Sequence, residues 1–333
     1  MKQGEVVATK ENAILTVKDL SLGFYSDRGI MPVLDNVSFS IDEDEVVALV
    51  GESGCGKSTT AMSIMRLLQT PPAVYSSGTI NFQGSELLTL PKEALRKIRG
   101  NKISMIFQEP MTSLNPVLTV GDQLGEVFRL HSNFSKKEIY KNSIDILQKV
   151  GISYEKERLK SYPSQLSGGM RQRVMIAMAI SSAPLLLIAD EPTTALDVTI
   201  QAQILELMKK IKQGSKMSIL LITHDLGVVA EISQRVAVMY LGQIVESAVT
   251  LELFTNPVHP YTRGLLESLP KIERKNKALV TITGMVPDLL HIPNGCRFNN
   301  RCAYATEQCM KEEPALKAVG TNHFSKCWLR GIS

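Results

Sequence analysis

The sequence predicts an α/β fold, an open sheet of mainly parallel strands with helices between them, and three observations support this prediction. A short apolar run, Val46–Val50, leads directly into a glycine-rich loop and then into a run typical of a helix. A second apolar run, Leu185–Ala189, ends in two acidic residues, and a third, Ser218–Thr223, ends in a histidine. Fully apolar strands of this length are typical of parallel sheets that are covered on both faces.

The loop after the first of these strands, GESGCGKST, contains the whole pattern G-x-x-x-x-G-K-[ST]. Its glycines allow the backbone to curl until several N–H groups point inward, and the helix that follows turns its positive N-terminus toward the same space. Lys57 is expected to reach the β- and γ-phosphates of a nucleotide, and the Ser58 hydroxyl to hold Mg²⁺. A strand before the loop and a helix over Ser58–Leu68 favour a phosphate site over a simple turn.

Two strands, Ala13–Leu22 and Val33–Ile41, precede the loop and predict an antiparallel layer. The segment between them, Gly23–Met31, has the composition of a turn. Phe24 and Tyr25 lie on that segment. An aromatic ring there either stacks on an adenine or packs into the core, and both alternatives stay open.

A further strand, Ile103–Phe107, ends at Gln108. Because open α/β sheets bind ligands at the carboxyl ends of their strands, the Gln108 amide is placed to reach Mg²⁺ or an attacking water. The alternative is an ordinary surface or capping residue. Helical periodicity over Thr119–Leu130 and Lys136–Val150, with no strand-like run from 115 to 163, predicts a helical insertion into the α/β body.

The run LSGGMRQR at 166–173 opens another helix. Ser167, Gly168 and Gly169 at its start form either a second anion-binding helix N-terminus or a plain serine N-cap.

The strand Leu185–Ala189 delivers Asp190 and Glu191 to its carboxyl end. Because adjacent residues on a strand point in opposite directions, Asp190 is expected to hold Mg²⁺ and Glu191 to polarise the attacking water. His224 ends the next strand and is placed to contact a γ-phosphate. Arg235–Val245 then predicts a hairpin.

The charge balance argues against a nucleic-acid partner. Lys and Arg number 37 and Asp and Glu 33, a net charge of +4 over 333 residues, and there is no basic run. The N-terminal run MKQGEVVATKENA has no apolar core, and no apolar run approaches the roughly 18 residues of a membrane span. The protein is therefore expected in the cytoplasm.

Cys55 lies within the phosphate loop, and the other four cysteines lie near the C-terminus: Cys296, Cys302, Cys309 and Cys327. In a reducing compartment such a cluster indicates a metal more than disulfides. The spacing C-x5-C-x6-C-x17-C suits an iron–sulfur cluster or tetrahedral zinc, and the lack of a C-x2-C pair makes a zinc ribbon less suitable.

Taken in order, these motifs resemble the ATP-binding subunit of an ATP-binding-cassette (ABC) transporter, from about residue 13 to 250. The discriminating element is LSGG, joined by the turn Ala195–Asp197 and by His224. The resemblance implies a P-loop ATPase (RecA-like) core with an antiparallel β subdomain, an inserted α-helical subdomain at about 110–165, and a small Cys-rich C-terminal extension. The corresponding boundaries are 1–250 for the ATP-binding domain and 251–333 for the extension.

The resemblance also implies a head-to-tail dimer that sandwiches two ATP molecules. Glu191 matches the general base, His224 the switch histidine and Gln108 the residue that senses Mg²⁺ and water. Asp197 bridges to the partner, and Ser167, Gly168 and Gly169 contact the nucleotide held by the partner's loop. The implied contacts of this chain with its own ATP and Mg²⁺ come from Phe24 or Tyr25, Gly51, Ser53, Gly54, Cys55, Gly56, Lys57, Ser58, Thr59, Gln108 and Asp190.

A second resemblance covers the C-terminal region. NPVHPYTRGLLESLP at 256–270, followed by the four cysteines, is similar to the extension of oligopeptide, dipeptide and nickel importer ATPases. Met170 after the signature glycines resembles the D-type member of a pair of non-identical ATPases. Ala303 departs from the family's usual proline. Because similar importers are reported to carry a [4Fe–4S] cluster in this region, the resemblance favours that cluster, with Zn²⁺ as the alternative.

The expected function is thus an ATPase subunit of a peptide importer at the cytoplasmic face of the cell membrane. Its implied partners are a second ABC ATPase subunit, two transmembrane permeases and an extracytoplasmic solute-binding protein. The alternatives are import of nickel or another metal chelate by the same machinery, and a soluble or redox/iron-sensing ABC ATPase that is not tied to transport.

Overall fold

The computed structural model describes residues 12–27, 29–108, 113–194, 196–269 and 282–329. The chain divides into two compact units. We call the first, formed by 1–88 and 222–333, the loop unit because it contains the phosphate loop. We call the second, formed by 89–221, the carboxylate unit because it contains Glu191.

The loop unit begins with an antiparallel sheet and the strand and helix that flank the phosphate loop. Its N-terminal elements are β1 (Ala13–Ser26), β2 (Gly29–Asp42), β3 (Val46–Val50), α1 (Lys57–Ile64), β4 (Ala73–Phe82) and β5 (Ser85–Glu86). Strand β1 lies between β2 and β4, in the order β2-β1-β4-β5. The predicted antiparallel layer is therefore confirmed.

The predicted turn over Gly23–Met31 is wrong in its extent. Strands β1 and β2 continue through it, with Phe24 opposite Met31 and Ser26 opposite Gly29. Phe24 also pairs with Ala73 on the other side of β1. Aromatic and β-branched residues favour strands, and pairing with β4 gives this segment a second ladder, which outweighs its turn-like composition.

The first helix is shorter than predicted. It ends at Ile64, whereas the apolar pattern extends to Leu68. Arg66 has a left-handed φ of 49°, a conformation that stops an α-helix because the next N–H no longer points along the helix axis.

The remainder of the loop unit comes from the second half of the chain. These elements are α8 (Leu226–Ile232), β9 (Arg235–Tyr240), β10 (Gln243–Val249), α9 (Thr250–Thr255), α10 (Pro260–Glu267), α11 (Glu307–Lys311), β11 (Lys317–Gly320) and β12 (His323–Ser325). Within this unit the strands run in the order β11-β12-β10-β9-β3. β3 is parallel to β9, and β9 forms the predicted hairpin with β10.

The C-terminal residues share a core with this sheet. Tyr261 and Phe298 lie in one buried cluster with Tyr240 of β9. The three rings are in contact, with centroids 4.7 Å apart for Tyr240–Tyr261 and 5.2 Å for Tyr240–Phe298. The described part of the C-terminal extension is thus packed against the strand beside the phosphate loop. The boundary at 250 stays a prediction.

The carboxylate unit contains a helical segment between strands. Its elements are α2 (Lys92–Ile98), β6 (Ile103–Ile106), α3 (Val120–His131), α4 (Lys136–Lys149), α5 (Glu155–Arg158), a 3-10 turn (Pro163–Gln165), α6 (Gly168–Ile180), β7 (Leu186–Asp190), α7 (Val198–Gln213) and β8 (Ser218–Thr223), whose last two residues belong to the loop unit. The strands run in the order β8-β7-β6, and β6 is parallel to β7. Strand β7 is buried along its whole length, as its apolar sequence predicts.

Helices α3 and α4 confirm the predicted helical insertion. Thr119 and Asp122 form a capping box at the start of α3, and Ser135 and Glu138 form another at the start of α4. Each box satisfies two backbone N–H groups that have no partner within the helix, so both helices begin where the sequence places them. Residues 110–112 of the predicted subdomain lie outside the described residues.

Candidate active site

The phosphate loop follows the buried strand β3, and its backbone shape depends on glycine. Gly51 has a φ of +153° and Gly56 a φ of +105°. A Cβ on Gly51 would lie 2.2 Å from the backbone oxygen of Met239, which is too close for any side chain. Helix α1 begins directly after Gly56. The first and last glycines of the motif therefore set the curl of the loop and the start of the helix.

Lys57 points back into this loop. Its Nζ donates hydrogen bonds to the backbone oxygens of Gly51 at 2.8 Å and Glu52 at 3.0 Å, and the residue is 5% exposed. A buried ammonium needs such acceptors, because removing it from water without them is costly. Cys55 Sγ lies 3.8 Å from Nζ, and burial raises the pKa of this thiol in spite of the nearby charge. Hydrogen bonds thus hold Lys57 against the first two residues of the loop.

The remaining loop residues differ in exposure. Ser53 and Gly54 are exposed, whereas Ser58 and Thr59 are half-buried at the first turn of α1. Their predicted contacts with ATP and Mg²⁺ stay predictions.

Glu191 lies immediately after β7 and is held by two side chains. Its Oε2 accepts hydrogen bonds from Gln108 Nε2 at 3.1 Å and from Thr194 Oγ1 at 2.8 Å. The backbone of Glu191 has a left-handed φ of 44°, which is uncommon outside glycine. Because β6 and β7 are parallel neighbours, Gln108 and Glu191 emerge from the same edge of the sheet, as the sequence predicts. The sequence did not point to Thr194.

Asp190 is the last residue of β7 and is 2% exposed. A buried carboxylate at this position suits a cation ligand, since Mg²⁺ prefers oxygen donors. His224 is exposed and follows β8.

The signature motif begins helix α6. Ser167 is its N-cap, and its Oγ accepts from the Met170 N–H at 3.4 Å. Gly168 is exposed, and the nearest heavy atom to a Cβ there would be 3.9 Å away. Gly169 is tighter, with Ile200 Cγ2 2.9 Å from such a Cβ. The two interpretations of this motif are therefore compatible, because Ser167 caps the helix while Ser167 and Gly168 stay exposed.

Asp197 performs a structural role in the chain itself. It caps helix α7, and its Oδ1 accepts from the Ile200 N–H at 2.9 Å. The residue is exposed, so an additional contact with a partner is sterically open. Ala195 of the same turn lies outside the described residues.

The two candidate stacking residues differ in exposure. Tyr25 is 59% exposed, whereas Phe24 is half-buried in β1. The Tyr25 N–H donates to the Pro72 oxygen at 2.9 Å, which fixes its backbone. The choice between the two rings stays a prediction.

The chain is similar to known proteins over most of its length. The chain matches the ABC transporter family over residues 34–194 and the C-terminal region of oligopeptide/dipeptide transporters over residues 245–309. It is 51% identical over 318 residues to the oligopeptide transport ATP-binding protein AppD of Bacillus subtilis, covering 96% of this chain and 97% of that protein. This chain belongs to the family of ABC transporter ATP-binding proteins.

Two further similarities support the assignment of this chain to the ABC family. The dipeptide transport ATP-binding protein DppD of B. subtilis is 49% identical over 317 residues, covering 95% of each chain. Among solved structures, the ATP-binding cassette MJ0796, in a dimeric post-hydrolysis state bound to ADP and Pi, is 28% identical with a TM-score of 0.64. That similarity covers 71% of this chain and 98% of the cassette. The predicted ABC-type ATPase and its α/β fold are confirmed.

The four C-terminal cysteines are not arranged as a metal site. Throughout the part of the chain that the structure describes, no three His, Cys, Asp or Glu side chains form a group that could hold a metal ion. Burial, reinforced by the neighbouring thiols, raises the pKa of Cys296 and of Cys327 to about 11. The thiols are thus within electrostatic reach of one another, but the prediction of a [4Fe–4S] cluster or Zn²⁺ has no support from their arrangement.

No helix among the described ranges combines the length and the apolar character that crossing a bilayer requires.

Proposed function

We propose that this ABC ATPase binds MgATP at its phosphate loop and hydrolyses it to drive the import of peptides. The observation that carries the proposal is the presence in one chain of the ABC transporter match and the oligopeptide/dipeptide transporter C-terminal region. Relatives that align with at least 95% of this chain are named for oligopeptide and dipeptide transport.

The predicted site residues have side chains of the types that suit a nucleotide with its cation. Lys57 offers its ammonium to the β- and γ-phosphates, and the α1 N-terminus offers backbone N–H groups. Ser58, Gln108 and Asp190 supply hydroxyl, amide and carboxylate oxygens, the ligand types that Mg²⁺ prefers. Mg²⁺, when bound, offsets the negative charge that collects on the phosphates.

Glu191 is proposed as the general base. Its carboxylate orients the attacking water and accepts its proton, while Gln108 and Thr194 hold the carboxylate in place through the hydrogen bonds at 3.1 and 2.8 Å. Hydrolysis of this kind depends on positioning and charge more than on covalent chemistry. His224 is proposed to contact the γ-phosphate.

The site is proposed to be completed by a second ABC ATPase subunit. The start of α6, where Ser167 and Gly168 are exposed and Gly169 is half-buried, is available to the nucleotide of a partner, and Asp197 at the start of α7 is also exposed. The cassette MJ0796, which this chain resembles, was solved as a dimer. We propose a heterodimer of non-identical ATPases, of which this chain is the D-type member.

The remaining partners follow from import. We propose that two transmembrane permeases bind the dimer at the cytoplasmic face of the membrane, with a solute-binding protein on the other side. We propose that the permeases contact the helical segment α3–α5, because none of the candidate site residues lies in this segment.

The four cysteines are proposed to bind a [4Fe–4S] cluster, with zinc as the alternative, because their soft thiolate donors suit either metal. Binding requires a closer arrangement of the thiols than the one described, so no step of hydrolysis is assigned to the metal. Anaerobically purified protein is expected to absorb broadly near about 400 nm and to lose this absorbance on oxidation. A colourless protein that contains stoichiometric zinc would overturn the choice of metal.

The transport proposal is tested in the assembled complex. The complex is co-purified from its native membrane, reconstituted in vesicles with its solute-binding protein, and supplied with labelled di- and oligopeptides or with Ni²⁺. ATP-dependent peptide uptake is expected, and Lys57→Ala in this chain should reduce it to background. Uptake of Ni²⁺ without peptides would favour the alternative substrate, and co-purification without permeases would contradict a transport role.

A further inference from the structure

Glu52, the second residue of the phosphate loop, is held by two side chains from the C-terminal segment, which we define as the described residues 251–269 and 282–329. Arg301 binds its carboxylate, and Tyr261 binds its backbone N–H. Both residues lie beyond the ABC transporter match, which ends at 194, and within the C-terminal match over 245–309. All of these atoms belong to the loop unit.

Arg301 forms a two-pronged ion pair with Glu52. Its Nη1 lies 2.7 Å from Oε2 and its Nη2 lies 3.0 Å from Oε1. This fork geometry fixes orientation as well as charge, which a lysine cannot do. The Arg301 side chain is 3% exposed and that of Glu52 27%, so the pair is shielded from solvent on the arginine side.

The arginine is itself held rigidly. Its Nε donates to the Thr283 oxygen at 3.1 Å, and its guanidinium lies 5.8 Å from the ring centroids of both Tyr240 and Phe298. Those rings belong to the buried cluster that joins the C-terminal segment to β9. The position of the fork is therefore set by the packing of the C-terminal segment.

Tyr261 acts on the peptide that binds Lys57. Its hydroxyl accepts from the Glu52 N–H at 2.8 Å. The carbonyl of the same peptide, that of Gly51, accepts from Lys57 Nζ at 2.8 Å. In a trans peptide the N–H and C=O point in opposite directions, so fixing the N–H toward Tyr261 fixes the carbonyl toward Lys57.

Electrostatics give the ion pair a second effect. Glu52 lies in the loop proposed to hold phosphates, and an unpaired carboxylate there repels them. The Arg301 guanidinium neutralises this charge and keeps the carboxylate turned toward the C-terminal segment.

We infer that Arg301 and Tyr261 are positioning residues for the nucleotide site, through which the C-terminal segment sets the affinity of the phosphate loop for MgATP. The inference rests on the proposed function, because it takes the loop as the ATP site. Arg301 acts by pairing the Glu52 carboxylate, and Tyr261 acts by orienting the carbonyl that holds Lys57.

The first test is a binding titration. MgATP affinity is measured on the full chain carrying Glu191→Gln, so that bound ATP is not turned over, at a temperature well below the lowest Tm of the set. Arg301→Met is expected to raise the Kd about tenfold, which equals about 1.4 kcal/mol. In the assembled complex without Glu191→Gln, Arg301→Met should raise KM by a similar factor and leave kcat within about twofold, the signature of lost binding.

A matched control separates this effect from a loss of packing. Lys326, in the same segment, forms an ion pair with Glu313 of that segment and not with the phosphate loop. Lys326→Met is expected to lower Tm and to leave the Kd within about twofold. An equal loss of MgATP affinity in both variants would overturn the inference, as would an unchanged Kd in Arg301→Met.

A double-mutant cycle tests the charge argument directly. Glu52→Gln removes the charge that Arg301 pairs, so Glu52→Gln/Arg301→Met should bind MgATP within about threefold of Glu52→Gln alone. Two additive losses would show that Arg301 does not act through Glu52, and would overturn its assigned role.

Tyr261→Phe keeps the buried ring and removes the hydroxyl, and it provides the test should Arg301→Met fail to fold. We expect a Kd about threefold higher with little change in Tm, and an unchanged Kd would overturn the role of Tyr261.

Lys57→Ala distinguishes failure of the proposed function from failure of the inference about Arg301 and Tyr261. If Lys57→Ala binds MgATP normally, the loop is not the ATP site and the proposed function fails, whereas loss of binding there with normal binding in Arg301→Met and Tyr261→Phe sinks only this inference.

Discussion

The two units hold their acidic residues Glu191 and Glu52 in different ways. In the carboxylate unit, Glu191 is bound by Thr194, three residues further along the chain, and by Gln108, which lies just beyond the end of the neighbouring parallel strand. In the loop unit, Glu52 is bound by Arg301 and Tyr261, which are 249 and 209 positions away in the sequence. The first arrangement lies wholly within the ABC transporter match, and the second joins that match to the C-terminal region.

This difference indicates a division of labour in one ATPase. Gln108 and Thr194, which donate hydrogen bonds to Glu191, both belong to the carboxylate unit, so variants there should change turnover and spare binding. In the phosphate loop, by contrast, the C-terminal segment orients the Gly51–Glu52 peptide and pairs the charge of the Glu52 side chain. Variants in the C-terminal segment should therefore change affinity and spare turnover.

The largest expected effect that separates the two is that of Glu191→Gln. The amide keeps the size and a hydrogen-bond acceptor but cannot accept the proton of water, so kcat in the assembled complex should fall by about 10²–10⁴. The Kd for MgATP should stay within about threefold. Single-turnover hydrolysis and equilibrium binding measure the two quantities, and Glu206→Gln, an exposed position on α7, is the control. Steady-state hydrolysis at the parent rate in Glu191→Gln would contradict the role of Glu191 as the base.

A smaller effect on the same side of the comparison is expected from Thr194→Val. The substitution keeps the shape of the side chain and removes the hydroxyl that donates to Glu191 at 2.8 Å. A hydrogen bond to a charged group contributes about 1.5–3 kcal/mol, and only part of it serves orientation, so we expect kcat to fall about 5- to 10-fold. Thr199→Val, on an exposed face of α7, should leave kcat unchanged. A rise in KM with unchanged kcat in Thr194→Val would place Thr194 in binding and weaken the division described here.

Much of this arrangement can be predicted from the sequence where the determinants are local. The phosphate loop is fixed by glycines at Gly51 and Gly56, whose left-handed φ angles no other residue adopts easily. The contact between Gln108 and Glu191 follows from two apolar strands that are parallel neighbours, because their carboxyl ends then lie at one edge. In each case a short stretch of residues carries the information.

Other features depend on tertiary contacts that no short stretch carries. The predicted turn at Gly23–Met31 is a pair of strands, because β4 adds a second ladder that its composition does not reveal. Arg301 and Tyr261 have no periodicity or motif that points to Glu52, and only packing of the C-terminal segment on β9 brings them there. The sequence analysis did not identify Thr194 either, but its contact is local, because a hydroxyl three residues after a strand-end carboxylate lies close in sequence to its partner Glu191.

The smallest expected effect concerns how the C-terminal segment is attached to the loop unit. His323 of β12 lies 2.7 Å, Nε2 to Oε1, from the fully buried Glu246 of β10. The hydrogen bond to Glu246 raises the pKa of His323, and Glu252, 3.6 Å from Nδ1, adds to the rise. The other nearby histidine, His259, has a pKa lowered to about 4 by burial, so it is neutral above pH 6.5 and does not titrate with His323.

The sign of the pH dependence follows from the raised pKa. The stabilisation from His323 is fully present below pH 6.5, the usual histidine value, and is lost as the pH rises through the higher pKa of the folded state. The Tm difference between the parent protein and His323→Asn should therefore be about 2 °C larger at pH 6 than at pH 9. A difference for His323→Asn that does not depend on pH would mean that its contact with Glu246 holds the segment by packing alone, and that the attachment of the C-terminal segment is not sensitive to charge.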